Sequence, residues 1–237
     1  MIKKLMKYDL KDNALFNIIM YILLLITTFT TLFSSYNTES LTLFFSTIFF
    51  YMASFANIIG TIILLLYTFR KKLLTDNAYL TLSLPVTKTQ IIISYTITSL
   101  IWLFITFIFN ILLWIVITNV VTKKAFLLES LFNYDLPTII ILFITILLYT
   151  LLTTEYCFLS LLLGHKFKHK IIFTVIFYNI FKAITKLFVQ APYTMTQISD
   201  LSISVINLLP IIIISIILIA IYAVCNIFAL KYRFDVE

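Results

Sequence analysis

The chain has 237 residues, of which 62% are hydrophobic and only 11% are charged, and its formal net charge is +7. A mean hydropathy of +1.10 and only two glycines lie far outside the range of water-soluble domains. This composition excludes a soluble globular domain and predicts a protein that crosses a membrane several times.

Six continuous apolar runs are each long enough for a membrane-spanning helix, which needs about 20 such residues. The runs do not alternate between apolar and polar residues, as the strands of a membrane barrel do. We therefore predict an all-α fold with a single transmembrane domain over residues 1–237. The predicted spans are 14–34, 41–68, 90–120, 137–163, 171–190 and 208–229.

Residues 1–13 precede the first span and have the periodicity of an amphipathic helix. Apolar residues recur at helical spacing, and lysines occupy the other side. Such a helix lies in the plane of the lipid headgroups, so we predict an interfacial helix here. Its apolar face comprises Ile2, Leu5, Met6 and Leu10, and its basic face comprises Lys3, Lys4, Lys7 and Lys11.

Basic residues concentrate in every second gap between the apolar runs. Thirteen lie at the two ends of the chain and in the gaps after the second and fourth runs, whereas the opposite side has only Lys123 and Lys124. By the positive-inside rule, both termini are expected in the cytoplasm. Anionic lipid headgroups attract lysines at this position, which makes nucleic-acid binding the weaker explanation of the net charge.

The second span contains a stripe of small residues. Ala53, Ala56 and Gly60 share one helix face, and the Ala56-x-x-x-Gly60 spacing permits close helix approach. Asn57 beside the stripe is expected to hydrogen-bond across the contact. Packing within one chain is favoured over a subunit interface because the pattern is common.

The gap between the second and third spans carries the most local detail. A short helix is expected to begin at Thr75 or Asp76 and to end before Pro85, since a residue that precedes proline leaves the helical region. Thr87 and Gln90 have the spacing of a capping box, so the third span should begin near Lys88. The short helix is either a docking element for a cytosolic protein or a loop helix packed on its own bundle. Its apolar residues are Tyr79, Leu80, Leu82 and Leu84.

Three ionisable residues lie deep within predicted spans, namely Glu155, Lys182 and Lys186. A charge there costs at least about 2.5–3.5 kcal/mol and generally faces the bundle interior. Glu155 and Lys182 have similar depths, which allows an ion pair. Together with Asn179, the two lysines form a polar stripe that is either the wall of a translocation pathway or a structural feature in which Lys186 extends to the outer interface.

The chain lacks the residues for catalysis or for nucleotide binding. Gly60 and Gly164 cannot form a glycine-rich phosphate loop, so any ATP must be bound by another chain. His165 and His169 have a zinc-compatible spacing but are surrounded by lysines without a carboxylate. We expect no enzyme activity, no metal site and no cofactor in this chain.

The segment from Tyr79 to Ile91, with Leu84-Pro85-Val86-Thr87-Lys88 at its centre, looks like the "Leu-Pro-Val/Ile-Ser/Thr-Arg/Lys" motif in the first cytoplasmic loop of one transporter family. Leu5 to Lys11 is similar to that family's amphipathic connecting helix, and residues 191–207 stand where it has a short outer re-entrant element. The chain therefore resembles a permease of the ABC-2-type ABC transporters, particularly the short six-span bacterial permeases of drug and peptide exporters.

The resemblance implies a coupling helix that docks on a cytosolic ABC ATPase dimer, which binds ATP and magnesium. It also implies a second permease subunit, identical or related, in a bacterial cell membrane. The expected substrate is an amphipathic or antimicrobial peptide, a lipid-like compound or a hydrophobic drug. The alternative is a non-transporting membrane sensor or scaffold that recruits cytosolic partners. The implied coupling residues are Tyr79, Leu80, Leu82, Leu84, Pro85 and Thr87.

Overall fold

The computed structural model describes residues 2–36, 40–75, 86–121, 136–196 and 205–234, and these residues are predominantly helical, with no strand among them. Each predicted span falls inside one helix, and all six helices are long and apolar enough to cross a membrane. The helices are α1 (Ile2–Tyr36), α2 (Ser40–Leu73), α3 (Lys88–Val121), α4 (Leu136–Gly164), α5 (Lys170–Thr196) and α6 (Val205–Phe234).

The helices form two groups of three. Helices α1, α2 and α3 pack on one another, as do α4, α5 and α6, and the groups meet through contacts of α3 with α4 and α6 and of α2 with α4. The main core lies at this junction, where the ring of Phe69 stacks on Phe158 with centroids 4.1 Å apart and meets Tyr95 edge-on at 5.2 Å. These aromatic contacts join α2, α3 and α4.

One end of the bundle collects the basic residues, and we call it the basic end. Side-chain contacts there bring together the beginnings of α1 and α3 and the ends of α2, α4 and α6. This arrangement places the alternate gaps at one side of the bundle. The basic residues of this end whose side chains the structure describes are Lys3, Lys7, Lys11, Arg70, Lys71, Lys72, Lys88, Lys166, Lys168, Lys170 and Lys231.

The amino-terminal segment is continuous with the first span. Helix α1 runs without a break from Ile2 to Tyr36, so one helix contains both the predicted interfacial segment over residues 1–13 and the first span. Asp9 in this segment is buried in the bundle. Its contacts with Lys72 and Ser94 hold the opening turns of α1 against α2 and α3.

The two glycines lie at helix contacts, with backbone atoms next to Gly164 and a flexible side chain next to Gly60. A Cβ atom on Gly164 would lie 2.7 Å from the backbone nitrogen and Cα of Thr174, whereas one on Gly60 would meet the terminal methyl group of Met20 at 3.0 Å. We expect Gly164→Ala to lower the free energy of unfolding by about 2 kcal/mol, because the α5 backbone must move. Gly60→Ala should cost less than about 1 kcal/mol, because a methionine side chain adapts.

Thermal unfolding of both variants and the unchanged chain in one detergent, followed by circular dichroism, measures this difference. Gly60→Ala is the matched control, since it adds the same methyl group to another helix contact. Equal losses in the two variants would contradict the close approach of α4 and α5.

Candidate functional site

An ion-pair cluster joins the first three helices at the basic end. The ammonium group of Lys72 lies 2.7 Å from one carboxylate oxygen of Asp9 and 2.6 Å from one of Asp12. The hydroxyl group of Ser94 donates a hydrogen bond of 2.9 Å to the other carboxylate oxygen of Asp9. Because Asp9 is only 4% exposed, a single buried carboxylate on α1 holds the end of α2 and the beginning of α3.

The same two helix ends also contact the second group of helices. Nε2 of His165, just after α4, lies 2.6 Å from the carbonyl oxygen of Leu74. The ammonium group of Lys88 donates to the carbonyl oxygen of Lys231 at 3.4 Å. Residues 76–85 therefore connect two helix ends that are positioned by α1, α4 and α6.

The predicted capping box at the beginning of α3 is confirmed. The backbone N–H of Gln90 donates to the hydroxyl oxygen of Thr87 at 3.3 Å, and the backbone N–H of Thr87 donates to the side-chain oxygen of Gln90 at 3.2 Å. Helix α3 begins at Lys88, as the sequence predicts. The other predicted coupling residues, Tyr79, Leu80, Leu82, Leu84 and Pro85, lie outside the described residues.

A buried polar network, which we did not predict from the sequence, crosses the first group of helices. The hydroxyl of Thr61 on α2 donates to the side-chain oxygen of Asn17 on α1 at 3.2 Å and lies 3.2 Å from the hydroxyl of Thr106 on α3. The hydroxyl of Tyr21 on α1 lies 2.9 Å from the hydroxyl of Thr106. The available signal was a pair of polar residues four positions apart in each of the helices α1, α2 and α3, namely Asn13 with Asn17, Asn57 with Thr61, and Thr106 with Asn110.

The small residues of α2 separate into inward-facing and outward-facing positions. Ala53 is buried and Gly60 approaches α1 at Met20 and Phe16, whereas Ala56 is exposed. Packing of Gly60 within the chain agrees with the favoured alternative. Asn57 is fully buried, and its side-chain amide has no hydrogen-bond partner among the described residues, so the expected bond across the contact is not formed.

Glu155 is fully buried and binds α6 rather than α5. The amide nitrogen of Asn226 donates to the carboxyl oxygen of Glu155 at 3.0 Å and to its backbone carbonyl oxygen at 3.2 Å. Both residues are 0% exposed. The alternative ion pair with Lys182 is not formed: both side chains are described, and no salt bridge joins them.

The polar stripe of α5 faces outward. Asn179, Lys182 and Lys186 are all exposed, and the ammonium group of Lys182 lies 5.8 Å from the ring centroid of Tyr178. Tyr178 itself faces the bundle and contacts the ring of Tyr156, with centroids 5.5 Å apart. The expectation that the lysines face the bundle interior is therefore wrong for this chain, because the rotation of α5 directs Tyr178 inward and the charged positions outward.

A largely apolar cavity of about 360 Å³ lies between α2, α3 and α4. Its wall is aromatic, with Phe55, Phe107, Trp114 and Phe143, and the indole N–H of Trp114 donates to the hydroxyl of Ser54 at 3.2 Å. Such a surface fits hydrophobic groups. Across the described parts of the chain, no three His, Cys, Asp or Glu side chains gather into a group that could hold a metal ion.

The six apolar helices, which expose large hydrophobic side chains along their lengths, define an α-helical multi-pass membrane protein. No family model, curated protein or solved structure matches this chain.

Proposed function

We propose that the chain is the membrane-spanning permease subunit of an ATP-driven ABC exporter. The observation that carries this proposal is the exposed polar face of α5, formed by Asn179, Lys182 and Lys186. A membrane helix that presents charge on its outer face requires a polar neighbour. A second permease subunit, identical or related, supplies that neighbour, and the space between the two α5 faces is the translocation pathway.

The depth of Lys182 in the membrane also indicates that α5 needs a polar neighbour. It stands twelve residues after Lys170, the first residue of α5, and a rise of about 1.5 Å per residue places it about 18 Å along the helix. A hydrocarbon core is about 30 Å thick, so this lysine lies near its middle. Contact with lipid would cost about 2.5–3.5 kcal/mol or more at that depth, and a polar interface or a water-filled pathway removes this cost.

The contacts at the basic end support coupling to a cytosolic motor. We place this end in the cytoplasm of a bacterial cell, with both termini there, following the positive-inside rule. A partner that pushes on residues 76–90 would move the end of α2 and the beginning of α3 together, because Asp9 binds both. The motor is an ABC ATPase dimer with its own ATP and magnesium.

The substrate we propose is an amphipathic or antimicrobial peptide, a lipid-like compound or a hydrophobic drug. Basic side chains on α5 would accept polar or anionic groups, and the aromatic cavity lined by Phe55, Phe107 and Trp114 would accept apolar groups. The direction of transport, outward, follows the family resemblance.

An affinity pull-down of the detergent-solubilised chain from its native membrane, with an assay of ATP hydrolysis, tests this function. We expect an ATPase subunit to co-purify with the unchanged chain and to be lost from the Leu84→Asp/Pro85→Ala variant. His169→Asp is the matched control, because it adds the same charge at an exposed position after α4, outside residues 76–90. Recovery of the chain without any ATPase, under conditions that preserve other complexes, would overturn the proposal.

The alternative is a membrane sensor or scaffold that recruits cytosolic proteins through the same loop. The exposed capping box and the absence of a nucleotide-binding motif suit this function equally well. It predicts no ATP-driven movement of a fluorescent peptide across vesicles that contain the chain and its ATPase partner.

A further inference from the structure

A cleft between α2, α4 and α5 opens at the basic end and continues along the membrane-spanning part of the bundle. Its mouth is a cavity of about 310 Å³ with Arg70, His165 and Lys170 in its wall. A second cavity of about 420 Å³ continues from it and is lined mainly by apolar and aromatic side chains, among them Leu66 and Tyr178. The two cavities share Arg70, Leu161, Thr174 and Val175, so they form one continuous cleft.

The mouth of the cleft has the chemistry of an anion site. No acidic side chain lines it, and among the described residues no salt bridge involves Arg70 or Lys170. The guanidinium fork of an arginine matches two phosphate oxygens, and an ammonium group adds a second positive charge. Helix α5 begins at Lys170, so the free backbone amides of its first turn also favour an anion there.

The inner part of the cleft has the chemistry of a hydrocarbon site. From Arg70 to Ile63, the deepest α2 residue in its wall, seven residues correspond to about 10 Å along the helix. From Lys170 to Tyr178 on α5, eight residues correspond to about 12 Å. An anion at the mouth would therefore be followed by an apolar groove that accepts the first half of an acyl chain.

We propose that this cleft binds one anionic phospholipid, with its phosphate between Arg70 and Lys170 and an acyl chain along Val175 and Tyr178. The charge at the mouth selects an anionic headgroup over a zwitterionic one. The apolar groove selects a molecule with a hydrocarbon chain over free phosphate. This site belongs to the single chain and requires neither an ATPase nor transport, so it stands or fails separately from the proposed function.

Native mass spectrometry of the full chain in detergent, titrated with phosphatidylglycerol or with phosphatidylcholine, tests the headgroup part of the site. We expect one phosphatidylglycerol to bind at least about tenfold more tightly than phosphatidylcholine. Arg70→Ala/Lys170→Ala should raise the dissociation constant for phosphatidylglycerol about 30-fold, which corresponds to two lost basic contacts. Lys3→Ala/Lys7→Ala, exposed lysines on α1 with the same charge change, should leave it within about twofold of the unchanged chain.

Val175→Trp tests the hydrocarbon part, since Val175 lines both cavities and all basic residues are kept. We expect loss of the first binding event for both lipids, whereas Val224→Trp at a similarly exposed position of α6 should retain it. An equal loss of affinity in Arg70→Ala/Lys170→Ala and Lys3→Ala/Lys7→Ala, binding that survives Val175→Trp, or no preference for phosphatidylglycerol would overturn the proposal. If Arg70→Ala/Lys170→Ala fails to fold, the binding measurements on Val175→Trp decide the outcome alone.

Discussion

Replacing Asp9 by alanine is expected to lower the free energy of unfolding by about 1.5–3 kcal/mol, the range for hydrogen bonds to a charged group. The side chain of Asp9 is 5% exposed, and its carboxylate contacts both Lys72 and Ser94. Its loss leaves the Lys72 ammonium group with Asp12 alone and separates α1 from the beginning of α3. Chemical unfolding of the purified chain in detergent micelles measures the change.

Asp12→Ala is the matched control, because Asp12 binds the same ammonium group at 2.6 Å but its side chain is 52% exposed. Exposed ion pairs contribute about 0–1 kcal/mol, so this variant should unfold almost like the unchanged chain. The double variant Asp9→Asn/Lys72→Met, which removes both charges, should recover part of the loss. Equal effects of Asp9→Ala and Asp12→Ala would contradict the central position of Asp9.

Structural features that are determined by residues close together in the sequence were predictable from it. The positions and lengths of the six helices follow from apolar runs of about 20 residues or more. The capping box of Thr87 and Gln90 depends on a spacing of three residues, and α3 begins at Lys88 as expected. In both cases the energetic cause lies in one short segment of the chain.

The rotation of each helix about its axis was not predictable. Depth follows from the number of residues along a span, and depth alone allowed Glu155 and Lys182 to pair. Rotation depends on packing between helices, and it directs Glu155 to Asn226 on α6 and leaves Lys182 exposed. Asp9 and Lys72 form their ion pair across 63 residues of sequence, a separation at which spacing contains no information on contact.

The buried polar network was only partly predictable from the sequence. The i, i+4 pairs of α1, α2 and α3 were visible as polar residues at helical spacing inside apolar runs. Each pair makes a bond to the backbone of its own helix, such as Asn17 to the Asn13 carbonyl oxygen at 3.1 Å. The contacts of Thr61 with Asn17 and Thr106 then depend on how α1, α2 and α3 align. This alignment cannot be read from the spacing of residues in the sequence.

The partner of Glu155 leads to a second prediction with a large effect. Asn226→Leu should lower the free energy of unfolding by about 3 kcal/mol, the upper end of the cost for a buried group that loses its hydrogen bond, because the group is a carboxyl. Glu155→Gln should cost less than about 1 kcal/mol, since an amide oxygen accepts the same bond from Asn226 at the same position. Chemical unfolding in detergent micelles measures both.

Lys182→Ala distinguishes a hydrogen-bonded carboxyl group from an ion pair. Because Lys182 is exposed and Glu155 contacts Asn226, the alanine variant should unfold within about 0.5 kcal/mol of the unchanged chain, as exposed substitutions usually do. Large and similar losses in Glu155→Gln and Lys182→Ala would restore the ion pair. A stable Lys182→Ala variant would instead leave this lysine available to the proposed pathway, where its removal should reduce transport without reducing stability.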